Sequence, residues 1–251
     1  KSEGTEYIVK SDIRADAAIV GEPSDYEYAV GHRGLEWFDV IIYGKASHSG
    51  RPDKGVNAIE HAMTFIHRVK QDLYPILKEK YNEYTGESVM NFGTITGGTE
   101  QSTVADRCVI RLDRRYIPGE TKESVMAEYQ EIIDRIKEED TTFNAEIRVT
   151  PESLLELYHP PLITSVNEPI VSAIRESIKD VIQREPTITR GIGWSDAGLL
   201  KTYANIPTVV FGPGDLSLAH TEEEHVSVED LMNAVDIYCH LVQRFTTLAP
   251  E

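Results

Sequence analysis

Gly44-Lys45-Ala46-Ser47-His48-Ser49-Gly50-Arg51-Pro52-Asp53-Lys54-Gly55-Val56-Asn57-Ala58-Ile59 is the stretch on which the reading of this chain turns. It sets a histidine between two serines at the end of a β-like run, residues 37–43, adds a turn rich in glycine and proline, and then opens a helix. The imidazole is thereby held on a loop between two rigid elements, a common setting for a functional side chain.

Outward from this loop, residues 35–43 read as a strand. Val56, Ile59, Met63, Ile66, Val69 and Leu73 recur at helical spacing, which predicts an amphipathic helix with these residues on its apolar face. Residues 90–96 and 108–115 read as two strands separated by Gly97-Gly98 and a polar segment. Thr121 is a predicted N-cap for a helix carrying Val125, Tyr129, Ile132, Ile133 and Ile136 on one side. Phe143, Ala145, Ile147 and Val149 alternate with polar residues, as in a half-buried strand. The order is βαββαβ, the plan of a ferredoxin-like domain.

On either side lie α/β pieces. The apolar run at residues 17–20 stops at Gly21-Glu22-Pro23-Ser24, so Glu22 falls just beyond the carboxyl end of a strand, where α/β sheets bind ligands. His159-Pro160-Pro161 marks a linker. Beyond it come a helix with Ile170, Ile174, Ile178 and Val181, an extended piece at 187–192, the turn Gly193-Trp194-Ser195-Asp196, a short helix and a buried strand at 207–211. Ser227-Val228-Glu229-Asp230 resembles a capping box opening a last helix, with Leu231, Ala234, Val235, Tyr238, Leu241, Val242 and Phe245 on its core face. The expected fold is α/β: residues 1–33 and 156–251 form one domain, and residues 34–155 an inserted ferredoxin-like βαββαβ lid.

Composition narrows the partners. Forty-two acidic against 25 basic residues give a formal charge of −17, which repels nucleic acid. No apolar run approaches the ~20 residues that span a bilayer. Cys108 and Cys239 share no metal-binding or disulfide spacing, which fits a reducing cytoplasm.

Gly-Lys-Ala-Ser-His-Ser, a proline, then Gly-Val-Asn-Ala-Ile closely resembles the lid signature of the zinc amidohydrolases that include acetylornithine deacetylase, succinyl-diaminopimelate desuccinylase, aminoacylase and related carboxypeptidases. The resemblance implies two zinc ions, with cobalt or manganese as substitutes, and hydrolysis of an amide in an N-acyl amino acid or small peptide. By the same resemblance Glu22, in Gly-Glu-Pro-Ser, binds one zinc and His220, in Ala-His-Thr-Glu-Glu-Glu, binds the other. His48 matches the lid histidine that stabilises the oxyanion, often across a homodimer. Arg115, in Leu-Asp-Arg-Arg-Tyr, matches the arginine that grips a substrate carboxylate, and Gly193 lies in a turn like the family's substrate loop. Ser102 takes the substrate contact where relatives carry an asparagine.

The family's first zinc-binding histidine, bridging aspartate and Glu-Glu pair lie upstream of the Gly-Glu-Pro motif, and Asp12 and Asp16 do not sit in such a setting. The expectation is that an amino-terminal portion is absent and that one ligand per metal remains. A zinc site takes at least three protein ligands, so this chain alone is expected to hydrolyse nothing. Two alternatives stand beside this reading. One is a dimerising or binding relative without catalysis. The other is a serine hydrolase using Ser195, Asp215 and His220, although Ala197 occupies the last glycine position of the G-x-S-x-G elbow.

Overall fold

The computed structural model describes residues 2–11, 13–151, 157–190 and 193–248. In chain order it runs α1 (Glu3–Lys10), β1 (Ala18–Val20), β2 (Gly31–His32), β3 (Gly34–Tyr43), α2 (Ala58–Arg68) and α3 (Tyr74–Glu79). Then come β4 (Tyr81–Asn82), β5 (Gly86–Glu87), β6 (Val89–Gly97), β7 (Arg107–Tyr116), α4 (Lys122–Glu139) and β8 (Asn144–Val149). The chain continues through β9 (Leu162–Ile163), α5 (Pro169–Ile182), α6 (Ala197–Ala204), β10 (Thr208–Val210) and α7 (Val228–Leu248). Two compact units result. One holds the described residues up to Gly34, Asn82–Gly86 and those from His159 onward; the other holds the described residues of Leu35–Tyr81 and Glu87–Tyr158. The expected boundary between residues 155 and 156 lies outside the described residues, as do Asp12 and the end of the extended piece at Ile192.

The second unit is ferredoxin-like. Its sheet has the order β6-β7-β3-β8, with β6 antiparallel to β7 and β3 antiparallel to β8. Alternation sets its two faces: Cys108, Ile110, Leu112 and Tyr116 are buried on one side of β7, while Arg107, Arg111 and Asp113 lie on the other. Against the apolar face pack Val125, Tyr129, Ile132, Ile133 and Ile136 of α4, as the sequence predicts. Thr121 caps α4, its hydroxyl accepting from Ser124 N at 3.1 Å while Ser124 Oγ accepts from Thr121 N at 2.9 Å.

Helix α2 departs from expectation. It starts at Ala58, capped by Asn57, because Val56 is paired with Lys45 in a β-bridge. Its core face is Ala58, Ala62, Phe65 and Val69, and Ile59 and Met63 point outward. The helical path also runs on past Leu73 through a π turn, Val69–Leu73, in which Tyr74 N donates to Val69 O. Pro75 follows at once and has no N–H to donate, so the wider turn lets the helix continue to Glu79.

In the first unit, β1 pairs parallel with β10 and β2 antiparallel with β9. Helices α5 and α7 pack through Ile170, Ile174, Ile178, Ile237 and Leu241. Ser227 caps α7, accepting from Asp230 N at 2.9 Å, but Leu231, Val235 and Val242 are exposed rather than on the core face. The presumed linker is packed in place: His159 is buried, its ring 4.6 Å from that of Trp194, whose Nε1 donates to Pro160 O at 3.0 Å. No helix among the described residues is long and apolar enough to cross a membrane.

Candidate active site

Parallel pairing of β1 with β10, in the register Ala18↔Thr208 to Val20↔Val210, brings the carboxyl ends of both strands to one place. There Gly21-Glu22-Pro23-Ser24 meets Phe211-Gly212-Pro213-Gly214. Phe211 N donates to Val20 O at 3.1 Å, Ser24 N to Gly212 O at 3.1 Å and Asp25 N to Gly214 O at 3.0 Å. Ser24 Oγ also donates to Gly212 O at 3.1 Å. Two motifs 188 residues apart are thus joined backbone to backbone.

Glu22 is half-buried at this junction. Burial pushes its carboxyl above the ordinary value, the negative charge of Asp196 adds to the rise, and His220 works against it. Glu22, Asp196 and His220 therefore form one electrostatic group. Asp196 accepts from Thr5 Oγ1 at 2.6 Å. His220 is exposed and holds a left-handed backbone, φ 63°, with its N–H donating to Glu224 Oε2 at 2.9 Å. Glu224 is therefore bonded within the His220 turn rather than only solvated. Gly193 is exposed at the mouth of the turn that carries Asp196, with open space where a side chain would stand.

In the second unit, the His48 loop is pinned at its base and its tip. Lys45 and Val56 exchange backbone bonds of 2.8 and 2.9 Å, Ser49 N donates to Ser102 O at 2.9 Å, and Val104 N to Ser47 O at 2.9 Å. His48 and Ser102 are thereby on adjoining strands of one loop cluster. A Cβ on Gly55 would fall 2.6 Å from Ser47 Oγ and 2.7 Å from Lys45 O, so only glycine lets the turn close. Gly50 N donates to His48 Nδ1 at 3.0 Å. Nδ1 accepts, so in the neutral ring the proton sits on Nε2, which is left as the ring's donor.

Arg115 is already held: its Nε and one terminal nitrogen donate to Asp113 at 2.7 and 3.0 Å, and Asp113 also accepts from Trp37 Nε1 at 3.0 Å. The neighbouring Arg114, which sequence reasoning passed over, is fully buried. It bonds Glu120 at 3.0 Å and Glu128 at 3.3 Å, and Lys80 and Ser88 reach the same carboxylates. Its inward place between Leu112 and Tyr116 in the alternation was the available signal. Burial works to raise the Glu120 carboxyl, but bonds from Lys80 and Ser88 and the Arg114 charge outweigh it and hold it low.

Residues 30–141 match the family described as the peptidase dimerisation domain. Over 245 residues the chain is 27% identical to an acetylornithine deacetylase of Myxococcus xanthus, covering 96% of this chain and 61% of the relative. Residues 30–141 are thus identified as an M20-type peptidase dimerisation domain. A second acetylornithine deacetylase, from Klebsiella pneumoniae, is 26% identical over 247 residues, covering 96% of this chain and 60% of that one. The fold matches an aminopeptidase of Bacillus cereus with a TM-score of 0.76 at 24% identity, over 98% of this chain and 62% of the other. It also matches an M20 family metallo-carboxypeptidase of Sulfolobus solfataricus with a TM-score of 0.75 at 21% identity, over 97% and 67%. The chain thus spans about three fifths of the length of the deacetylases it matches.

A metallo-carboxypeptidase is among the solved structures that share this fold, and metal-assisted hydrolysis would need side chains that can hold a divalent ion. Glu22 and His220 offer a carboxylate oxygen and an imidazole nitrogen, donors such ions accept. Among the described residues, however, no group of three or more His, Cys, Asp or Glu side chains is gathered to hold a metal. The two donors suit the ion but do not by themselves make a site. Ser195 fares no better as a nucleophile: it is buried, and among the described residues its Oγ has no hydrogen-bond partner to act as base.

Proposed function

We propose that the protein hydrolyses the amide bond of an N-acyl amino acid or small peptide, with Glu22 and His220 serving as ligands of a two-zinc centre for which cobalt or manganese can substitute. The observation that carries this reading is the junction of β1 with β10, which sets Glu22 in the field of His220. The acetylornithine deacetylases among the relatives support an N-acyl amino acid as substrate. Bound metal supplies Lewis acidity. The chain's own residues do the rest: Nε2 of His48 donates to the developing oxyanion, and Arg115 takes the substrate carboxylate in exchange for Asp113. Gly193 and Ser102 border the substrate.

The unit built on β3, β6, β7 and β8 serves as the lid and pairs with a second copy of the chain. Ile59 and Met63 on α2 and Ile95 on the edge strand β6 give it exposed apolar surface for that purpose. A reducing cytoplasm suits the two free thiols, Cys108 and Cys239. A second reading, a dimerising relative that binds substrate without cleaving it, draws on the lack of a three-donor group among the described residues.

Elemental analysis and hydrolysis of N-acyl amino acids separate these readings. The 251-residue chain equilibrated with zinc is expected to hold fewer than two ions. In protein that turns over substrate, His48→Ala should lower kcat by on the order of 10²–10³ and leave zinc unchanged, whereas Glu22→Gln and His220→Ala should lower zinc content. Loss of zinc with His48→Ala would refute the assigned role, and substrate binding with no turnover in any preparation would favour the second reading.

A further inference from the structure

Between the start of α2 and the end of β6, the second unit holds a cavity of about 400 Å³ lined by Ile59, Thr99, Glu100, Gln101 and Thr103. It adjoins the His48 loop, because Thr103 forms a β-bridge with His48 and Ser49 N donates to Ser102 O at 2.9 Å. We propose that this cavity receives a positively charged group of the substrate, the side-chain ammonium of an N-acyl diamino acid, and that Glu100 is the residue that selects it. The proposal deepens the reading of the His48 loop as part of the active site and rests on it.

Two glycines make the space. Gly97 closes β6, and Gly98 turns the chain away from the strand at φ 73°, a left-handed bend that glycine takes without steric cost. A Cβ on Gly98 would stand 3.5 Å from Ile59 Cδ1 and 3.5 Å from Ala105 Cβ, so these two side chains form an apolar floor that any larger residue at 98 would cover. The methylene stem of an amino-acid side chain fits against such a floor, and the volume suits a ligand of that size.

Glu100 supplies the charge above that floor. Its Oε1 accepts from Thr103 Oγ1 at 3.3 Å, a long bond, and no basic side chain among the described residues pairs with the carboxylate. Lys54, on the neighbouring loop, is taken by Asp53 at 3.1 Å. The start of α2 does not offer an anion site in its place: Ala58 N donates to Ala105 O at 2.8 Å, Ile59 N to Asn57 Oδ1 at 3.0 Å, and Glu60 stands in the first turn. An ammonium brings three N–H donors. Glu100 meets one with a full negative charge, and the side-chain oxygens of Thr99 and Gln101, lining the same space, are acceptors for the others.

Calorimetric titration of the full chain in chelator keeps the proposed metal centre out of the measurement. Nα-acetyl-L-lysine should bind at one molecule per chain. Nα-acetyl-L-norleucine, which lacks the ammonium, and Nα-acetyl-L-glutamate should each bind at least about tenfold more weakly. Glu100→Gln should erase the preference, so that the lysine and norleucine derivatives bind alike, whereas Glu60→Gln should keep it. Circular dichroism confirms folding of each variant. No binding of the lysine derivative, equal binding of the norleucine derivative by the parent, or a preference that survives Glu100→Gln would overturn the proposal. The two readings separate cleanly: the preference without hydrolysis in any preparation supports the cavity and counts against the proposed hydrolysis alone, whereas hydrolysis of both derivatives with equal kcat/KM does the reverse.

Discussion

Gly212 lies against the backbone of Glu22 so closely that a Cβ placed on it would stand 2.8 Å from the Glu22 carbonyl oxygen and 3.1 Å from its nitrogen. This contact holds the end of β10 to the end of β1 and sets where the Glu22 carboxylate stands. Gly212→Ala must push the two strand ends apart. The expected cost is about 1–3 kcal/mol, the range for overpacking, and zinc affinity should fall with it. Urea denaturation and zinc titration of the variant measure both; unchanged values would show that the junction is slack.

His32 should make the first unit sensitive to acid. It is buried, Nδ1–H donates to Arg33 O at 2.9 Å, and burial lowers its pKa from 6.5 to about 4. The unfolded chain therefore binds a proton that the folded one refuses between these values. Stability is full above pH 6.5 and falls as pH drops toward 4, by roughly 3 kcal/mol from this group. His32→Leu should flatten that slope between pH 7.5 and pH 4.5 in urea unfolding. An unaltered slope would mean that another group governs acid sensitivity.

Breaking the buried ion network of the lid should be costly in one direction only. Arg114→Ala leaves Glu120 and Glu128 with Lys80 as their remaining cation, and the expected destabilisation is about 3–5 kcal/mol. Arg114→Met with Glu120→Gln and Glu128→Gln removes the charges together and should recover much of it. Guanidinium denaturation of both variants gives the comparison, and equal losses would argue against an uncompensated charge as the cause.

Asp196 raises the pKa of Glu22, and a carboxyl whose folded pKa is raised costs stability as pH climbs through that pKa. Asp196→Asn keeps an oxygen to accept from Thr5 and removes the charge. The variant should be more stable than the parent at pH 7, and the difference should narrow at pH 3, where the raised Glu22 carboxyl has taken up its proton. A thermal melt at the two pH values decides this, and a variant less stable at pH 7 would mean that the Thr5 bond outweighs the repulsion.

Much of this protein was legible without coordinates. The strand runs at 17–20, 108–115 and 207–211, the helical spacing from Val125 to Ile136 and the cap at Thr121 are local patterns, and each formed the element it predicts to within one residue at either strand end. Local chemistry suffices there because a strand or cap is decided by neighbours within a few residues. Helix α2 shows where this ends: two stripes could have been the inner one, and packing on the sheet chose Ala58, Ala62 and Phe65 over Ile59 and Met63. Periodicity locates an apolar face but does not choose between two.

Tertiary structure alone decided the long-range partners. The register of β1 on β10 put Glu22 beside the turn of Gly212 and within reach of Asp196 and His220. The sheet gave Arg115 to Asp113, buried Arg114 among carboxylates, and packed a proline-rich linker onto Trp194. Such pairings depend on which strands and loops meet in space, and sequence separation carries no information about that until the sheets have formed.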